Sequence, residues 1–180
     1  MNAAEEAAAA PIWKNGGFEP DEWTRASAGA ELSIAGAPLL VPLANFLAEP
    51  DRYLGRNEKL GVEVQAGEAV HLLEPYLWRL SLIALAFPKF HDGRSYSAAR
   101  LLRERYHFRG ELRAVGDVLQ DQIPLMRRCG IDSFEVKHAP TRAALLEGRL
   151  PEMHRFYQPI PTAPHEAPAG TRPWLRQPGD

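Results

Sequence analysis

The sequence predicts an α/β fold with a parallel sheet of about five βα units, and three observations carry that reading. Short apolar runs alternate with helix-patterned segments along the middle of the chain. The run LSLIALAF at residues 80–87 is apolar nearly throughout, as expected of a strand buried on both faces. The connections are short, and right-handed crossovers of that kind place successive strands parallel and side by side. Five units are too few to close an eightfold barrel, which leaves an open wound sheet or a partial barrel.

Taken in order, IWKNGGFEPDEW at residues 12–23 has a Gly-Gly turn between aromatic flanks and reads as an N-terminal hairpin on one sheet edge. Residues 39–43 form a strand, and 44–54 a short helix broken near Pro50. Residues 61–64 are a second strand, and about 68–77 a helix. Strand 80–87 leads into helix 95–108, with Ala98, Leu101, Leu102 and Tyr106 along one side and Gly110 as its terminator. Strand 111–115, helix 118–129 ended by Gly130, and strand 133–137 follow. Thr141 caps a last helix, 142–147, closed by Gly148.

The chain of 180 residues therefore divides into a disordered Ala/Glu segment at 1–10, one α/β domain at 11–157, and a proline-rich tail at 158–180. That tail holds six prolines in 23 residues, which favours extended chain over helix or sheet. Its Trp174 reads as a solvated or weakly packed side chain, with a docking anchor as the minority alternative.

Composition excludes more than it assigns. Twenty-one basic residues against 23 acidic give a net charge of −2, so no bulk field recruits nucleic acid or an anionic membrane. The single cysteine, Cys129, permits no internal disulfide and no four-thiolate cluster, and it reads as a buried, inert thiol. No secretory leader is recognisable in MNAAEEAAAAP and no run approaches the ~18 residues of a membrane span, so a cytoplasmic location is expected. The glycines form neither dinucleotide nor phosphate-loop fingerprints, and the histidines show no close ligand pair. No cofactor is recognisable; a flavin, or a magnesium ion at Asp92 and Asp117, stays open.

One constellation stands out. Ligands of parallel α/β sheets bind where loops leave the C-terminal strand ends, and the loops at 89–100 and 113–122 both leave there. Gly93 and a serine at a helix start, with Arg94 and Arg100, are suited to an oxyanion or a carboxylate. Between Lys89 and Arg113, seven basic residues face three acidic ones, a local surplus of four. The expected anion site comprises Asp92, Gly93, Arg94, Ser97, Arg100, Arg113, Asp117 and Asp121. The bland alternative is ordinary turn chemistry: an Asp-Gly turn, an Arg100–Glu104 surface pair, an Asp117-to-Gln120 capping box, and a structural His91.

The run F-x-x-F-x-D-G-R-x-x-S-x-A-R from Phe87 to Arg100, with G-E-L-R-A-x-G-D-V from Gly110, Asp121-Gln122 and Arg128-Cys129-Gly130, resembles an uncharacterised proteobacterial family labelled as oxidoreductases involved in sulfite reduction. The resemblance covers most of residues 13–157. It implies a role in sulfur assimilation. The lone cysteine cannot hold the cluster of a sulfite reductase catalytic subunit. The role expected is therefore that of an accessory protein, binding a small oxyanion or a cofactor phosphate, or sulfite reductase itself. The alternative is a stand-alone enzyme acting on a phosphorylated or sulfur-containing metabolite. The open edge or the half-open inner face of such a sheet is where a partner or a second copy, as a homodimer, is expected to dock.

Overall fold

The computed structural model describes residues 11–26 and 36–151. The expectations for residues 1–10, the tail at 158–180 and Trp174 lie outside the described residues. Within them the α/β class holds, but the sheet is larger than five units: eight strands in the order β2-β1-β8-β7-β6-β5-β4-β3. These are β1 (Ile12–Lys14), β2 (Gly17–Glu19), β3 (Thr24–Arg25), β4 (Leu39–Pro42), β5 (Leu60–Val64), β6 (Leu80–Phe87), β7 (Glu111–Gly116) and β8 (Ser133–Glu135). From β3 to β8 all pairings are parallel, while β1 pairs antiparallel with both β2 and β8. The hairpin turns at Asn15 and Gly16, both with positive φ, and forms one edge as expected.

The sheet is curled into a half-barrel. A length argument shows that it must be. The two edges, β2 and β3, are joined by only residues 20–23. Across a flat sheet of this order the edges would lie ~34 Å apart, whereas the chain from Glu19 to Thr24 spans at most ~18 Å. Residues 20–23 thus cross the open side like a bowstring. Arg25 on β3 accordingly reaches Glu135 on β8, five strands away in the order.

Strand alternation sorts the side chains between two faces. The convex face carries Val62, Val64, Ile83, Leu85, Phe87, Leu112, Ala114, Phe134 and Val136 in one large apolar cluster. The helices bring Phe46, Ile123, Met126 and Leu145 to it, and the π-helical turn at Leu101–Arg105 brings Leu102. These helices are α1 (Leu43–Ala48), α2 (Pro50–Leu54), α3 (Arg94–Arg100), α4 (Ile123–Arg128) and α5 (Ala139–Leu146). The concave face holds a small second cluster, Leu40, Leu82, Ala84, Ala86 and Val115, with Trp23 packed on it.

Several local expectations are corrected. Residues 70–76 form a 3-10 helix rather than an α-helix, with Pro75 inside it. Helix 95–108 is an α-helix only to Arg100; a π-helical turn at Leu101–Arg105 follows and the helix ends at Tyr106. The left-handed residue that follows is His107, with φ 52°, not Gly110. Gly110 is required by close approach instead, since a Cβ there would lie 2.8 Å from the Ser81 carbonyl oxygen. Helix 118–129 starts only at Ile123, because residues 118–119 are irregular and 120–122 form a turn. Strand 133–137 ends at Glu135. The last helix is capped by His138, whose Nδ1 accepts from the Thr141 amide, and Thr141 itself is buried inside that helix.

Candidate functional site

The C-terminal ends of β5, β6 and β7 bring three loops to one rim of the half-barrel. The Asp-Gly-Arg loop after β6 is built around Arg94. Its guanidinium donates from Nε to Asp92 Oδ1 at 2.9 Å and from Nη2 to Asp92 Oδ2 at 2.6 Å. The Asp92 carboxylate also accepts the Arg94 amide at 3.3 Å. The oxyanion position expected at the start of α3 is therefore held by the protein's own carboxylate. The hydrogen bond from Arg94 holds that carboxyl down to about 2, against the opposing pull of desolvation.

Arg94 lies over the turn after β5. Gly67 has φ +93°, and a Cβ there would sit 2.5 Å from Arg94 Nη1. Only glycine admits both the conformation and the guanidinium. Across the rim, the Asp117 amide donates to the Phe87 carbonyl at 2.7 Å, and Gly116, with φ +97°, leaves no room for a Cβ against that same carbonyl. Asp117 is exposed, as is Phe90, whose carbonyl accepts from Gln122 Nε2 at 3.2 Å. Gln120 does not cap the amide of Asp117; its side chain donates to the Arg149 carbonyl.

The remaining expected residues go elsewhere. Ser97 is exposed on α3. Ser95 does not cap the helix, but donates from its buried hydroxyl to the Ala86 carbonyl at 2.5 Å and ties α3 to β6. Arg100 donates to Glu104 at 2.9 and 3.0 Å on the helix surface. Arg113 is buried on the concave face of β7, away from the Asp-Gly-Arg loop. Asp121 lines a separate groove of about 670 Å³ with Leu119, His138, Pro140, Ala144 and Arg149.

The local surplus of positive charge is largely used internally. Arg103 donates to the carbonyls of Gly130, Phe108 and Gly110 and pairs with Asp132, so it fastens the end of α4 to the start of β7. Cys129 is buried, and burial pushes its thiol upward despite nearby Arg100 and Arg128. Burial also raises Tyr96, to about 12, with the charges of Cys129 and Asp121 adding to the rise.

What the sequence reading missed is the inner face. Its first layer joins Asp21, Arg113, Glu111, Ser133 and Lys14. Arg113 Nη1 meets Asp21 at 2.7 Å and Nη2 meets Glu111 at 2.9 Å; Ser133 Oγ donates to Glu111 at 2.6 Å, as does Lys14 Nζ at 2.6 Å. The second layer joins Arg25 to Glu63 and Glu135, with Lys137 at 2.9 Å from Glu135 and Gln65 at 3.0 Å from Glu63. Burial alone would push the Glu135 carboxyl up, but hydrogen bonds from Arg25 and Lys137, with their charges, hold it below the ordinary glutamate value. The signal was present in G-V-E-V and S-F-E-V-K, where charges occupy alternate positions of apolar strands. Alternation of that kind marks a polar second face.

Among the described residues, no group of three or more histidine, cysteine, aspartate or glutamate side chains is placed to hold a metal ion. No described helix is long and apolar enough to cross a membrane. No curated protein and no solved structure matches the chain. The motif-bearing loops, from β5 onward, fall inside a family match over residues 61–168, more than half of the sequence, and the chain thus belongs to the family described as "Bacterial protein of unknown function (DUF934)".

Proposed function

We propose that this protein is an accessory factor of assimilatory sulfite reduction that holds a small oxyanion, or the phosphate of a cofactor, at the rim formed by the Asp92–Arg94 loop. The observation that carries the reading is the state of Arg94. An exposed arginine ordinarily gives up rotamer entropy only for a return. Arg94 is 63% exposed, yet two hydrogen bonds to Asp92 fix its orientation and Gly67 is kept clear beneath it. Nη1 lies outside the carboxylate pair, and its planar donors suit a tetrahedral or pyramidal oxyanion. The resemblance supplies the pathway. The single cysteine assigns cluster-borne electron transfer to a partner, for which sulfite reductase is the candidate.

Titration of the full chain with sulfite, sulfate and phosphate, read by ligand-detected NMR, tests the site. Arg94→Ala abolishes binding, and Gly67→Ala weakens it by displacing the guanidinium. Arg100→Ala leaves it unchanged, because Arg100 is committed to Glu104. Equal binding by wild type and Arg94→Ala removes the reading. Co-purification of sulfite reductase from sulfate-grown cells tests the partner, and equal growth of a deletion strain on sulfate and on cysteine removes the pathway.

A further inference from the structure

The bowstring at residues 20–23 together with the edge strand β3 that follows it, residues 20–26, fills the inner face with three side chains of different chemistry. Asp21, its side chain 1% exposed, pairs with Arg113 of β7. Trp23 lies on Gly61 of β5, where a Cβ would be 3.0 Å from the indole and 3.1 Å from Leu40 and Leu82. Arg25 pairs with Glu63 and Glu135. The floor around the indole is apolar, made of Leu40, Leu82, Ala84, Ala86 and Val115, and the indole lies over the one position, Gly61, that has no side chain. Against these side-chain contacts, the main-chain hold is slight: β3 pairs with β4 over two residues.

Charge gives the sharper clue. With the segment in place, each layer of the inner face is balanced. Without Asp21, the layer around Arg113 has two cations, Arg113 and Lys14, against the one anion Glu111. Without Arg25, the other layer has the one cation Lys137 against Glu63 and Glu135. The uncovered inner face is thus positive around Arg113 and Lys14 and negative around Glu63 and Glu135, with an apolar patch beside them in which Ala84 lies between Glu63 and Arg113.

We propose that residues 20–26 are an internal strap over a ligand site on the inner face of the half-barrel. The ligand class that fits is a small zwitterion with a flat ring, its anionic group on Arg113 and its cationic group on Glu63 and Glu135. The strap places a carboxylate, an indole and a guanidinium in that order, so it acts as a built-in competitor that a ligand displaces. This site is distinct from the Arg94 rim and stands or falls separately from it.

The probe is 4-guanidinobenzoate, which carries a carboxylate and a guanidinium at opposite ends of a ring. The full chain and its Asp21→Asn/Trp23→Ala/Arg25→Gln variant are titrated by calorimetry, with circular dichroism confirming the variant's fold. The variant binds the probe at least tenfold tighter than wild type, and binds benzoate and phenylguanidine, each lacking one end, at least tenfold more weakly than the probe. Absent or equal binding by a folded variant overturns the proposal. Should the variant not fold, hydrogen exchange in wild type decides: saturating probe accelerates the Thr24 and Ala26 amides, which donate to the Pro38 and Leu40 carbonyls. Unchanged exchange at those two amides overturns the proposal.

Discussion

On the convex face of the sheet, alternate residues of the parallel strands are apolar and meet helices, whereas on the inner face the same strands present Glu63, Glu111, Arg113, Ser133 and Glu135. The convex side is held by burial, which is non-directional and tolerates imprecision at any one contact. The inner side is held by charges whose desolvation is offset only while each keeps its partner. The contrast teaches where this molecule is specified. Burial makes the sheet, and the paired charges, with the strap that completes them, select how far it curls.

Substitutions that break each side separately test this division. The largest expected effects are Phe134→Ala on the convex face and Arg113→Ala on the inner face. Phe134 is fully buried, and its loss costs about 3–5 kcal/mol in urea unfolding. Arg113→Ala costs a similar amount, about 3–5 kcal/mol, for another reason: it leaves Asp21 as a buried carboxylate without its counter-ion and takes one of the cations from Glu111, which keeps Lys14 and Ser133. Replacing the pair together, as Arg113→Met with Asp21→Asn, recovers much of the loss, while no polar partner change rescues Phe134→Ala.

Next in size is Gly116→Ala, at the end of β7. It forces a left-handed residue and brings a Cβ 2.6 Å from the Phe87 carbonyl oxygen, for about 1–3 kcal/mol in the same assay.

Acid separates the faces without mutation. Glu135 and Glu111 are both held below the ordinary glutamate value of 4.5, their ion pairs and hydrogen bonds outweighing burial. A carboxyl lowered by folding contributes stability above its unfolded value and loses it as pH falls through the folded one. Stability therefore drops below about pH 4.5. In Glu135→Gln the drop is smaller, and in Phe134→Ala it is unchanged. Parallel pH profiles for wild type and Glu135→Gln would show that this carboxylate is not linked to folding. The smallest effect is at the surface: Arg100→Ala, which removes the exposed pair with Glu104, changes stability by less than about 0.5 kcal/mol.

The legible part of the molecule is the part governed by apolar periodicity. Strand 80–87 was readable to the residue because a strand buried on both sides is a continuous apolar run. Pro50 and Gly130 marked their boundaries through backbone restriction. Helix 95–108 was overextended because the π-helical turn keeps an amphipathic pattern while shifting the register, and no local residue announces it. The strand count fell short because β3 has two residues, too few for any period, and because residues 20–23 connect opposite edges, which only the closed shape explains. Of the site, the Asp92–Arg94 turn was visible as a motif. Arg113 was grouped with it by sequence proximity, although strand alternation sends its side chain to the inner face. Its partner Asp21 is 92 residues distant in sequence, beyond any local signal.

The most direct test of the inner-face account is a double-mutant cycle between Asp21 and Arg113, using Asp21→Asn, Arg113→Met and the pair, measured by urea unfolding at pH 7. A strap that crosses the half-barrel and completes its charge layer gives a coupling of about 1–3 kcal/mol. Additivity within about 0.5 kcal/mol would contradict it, since residues on the strap and on β7 would then not share an interaction across the inner face.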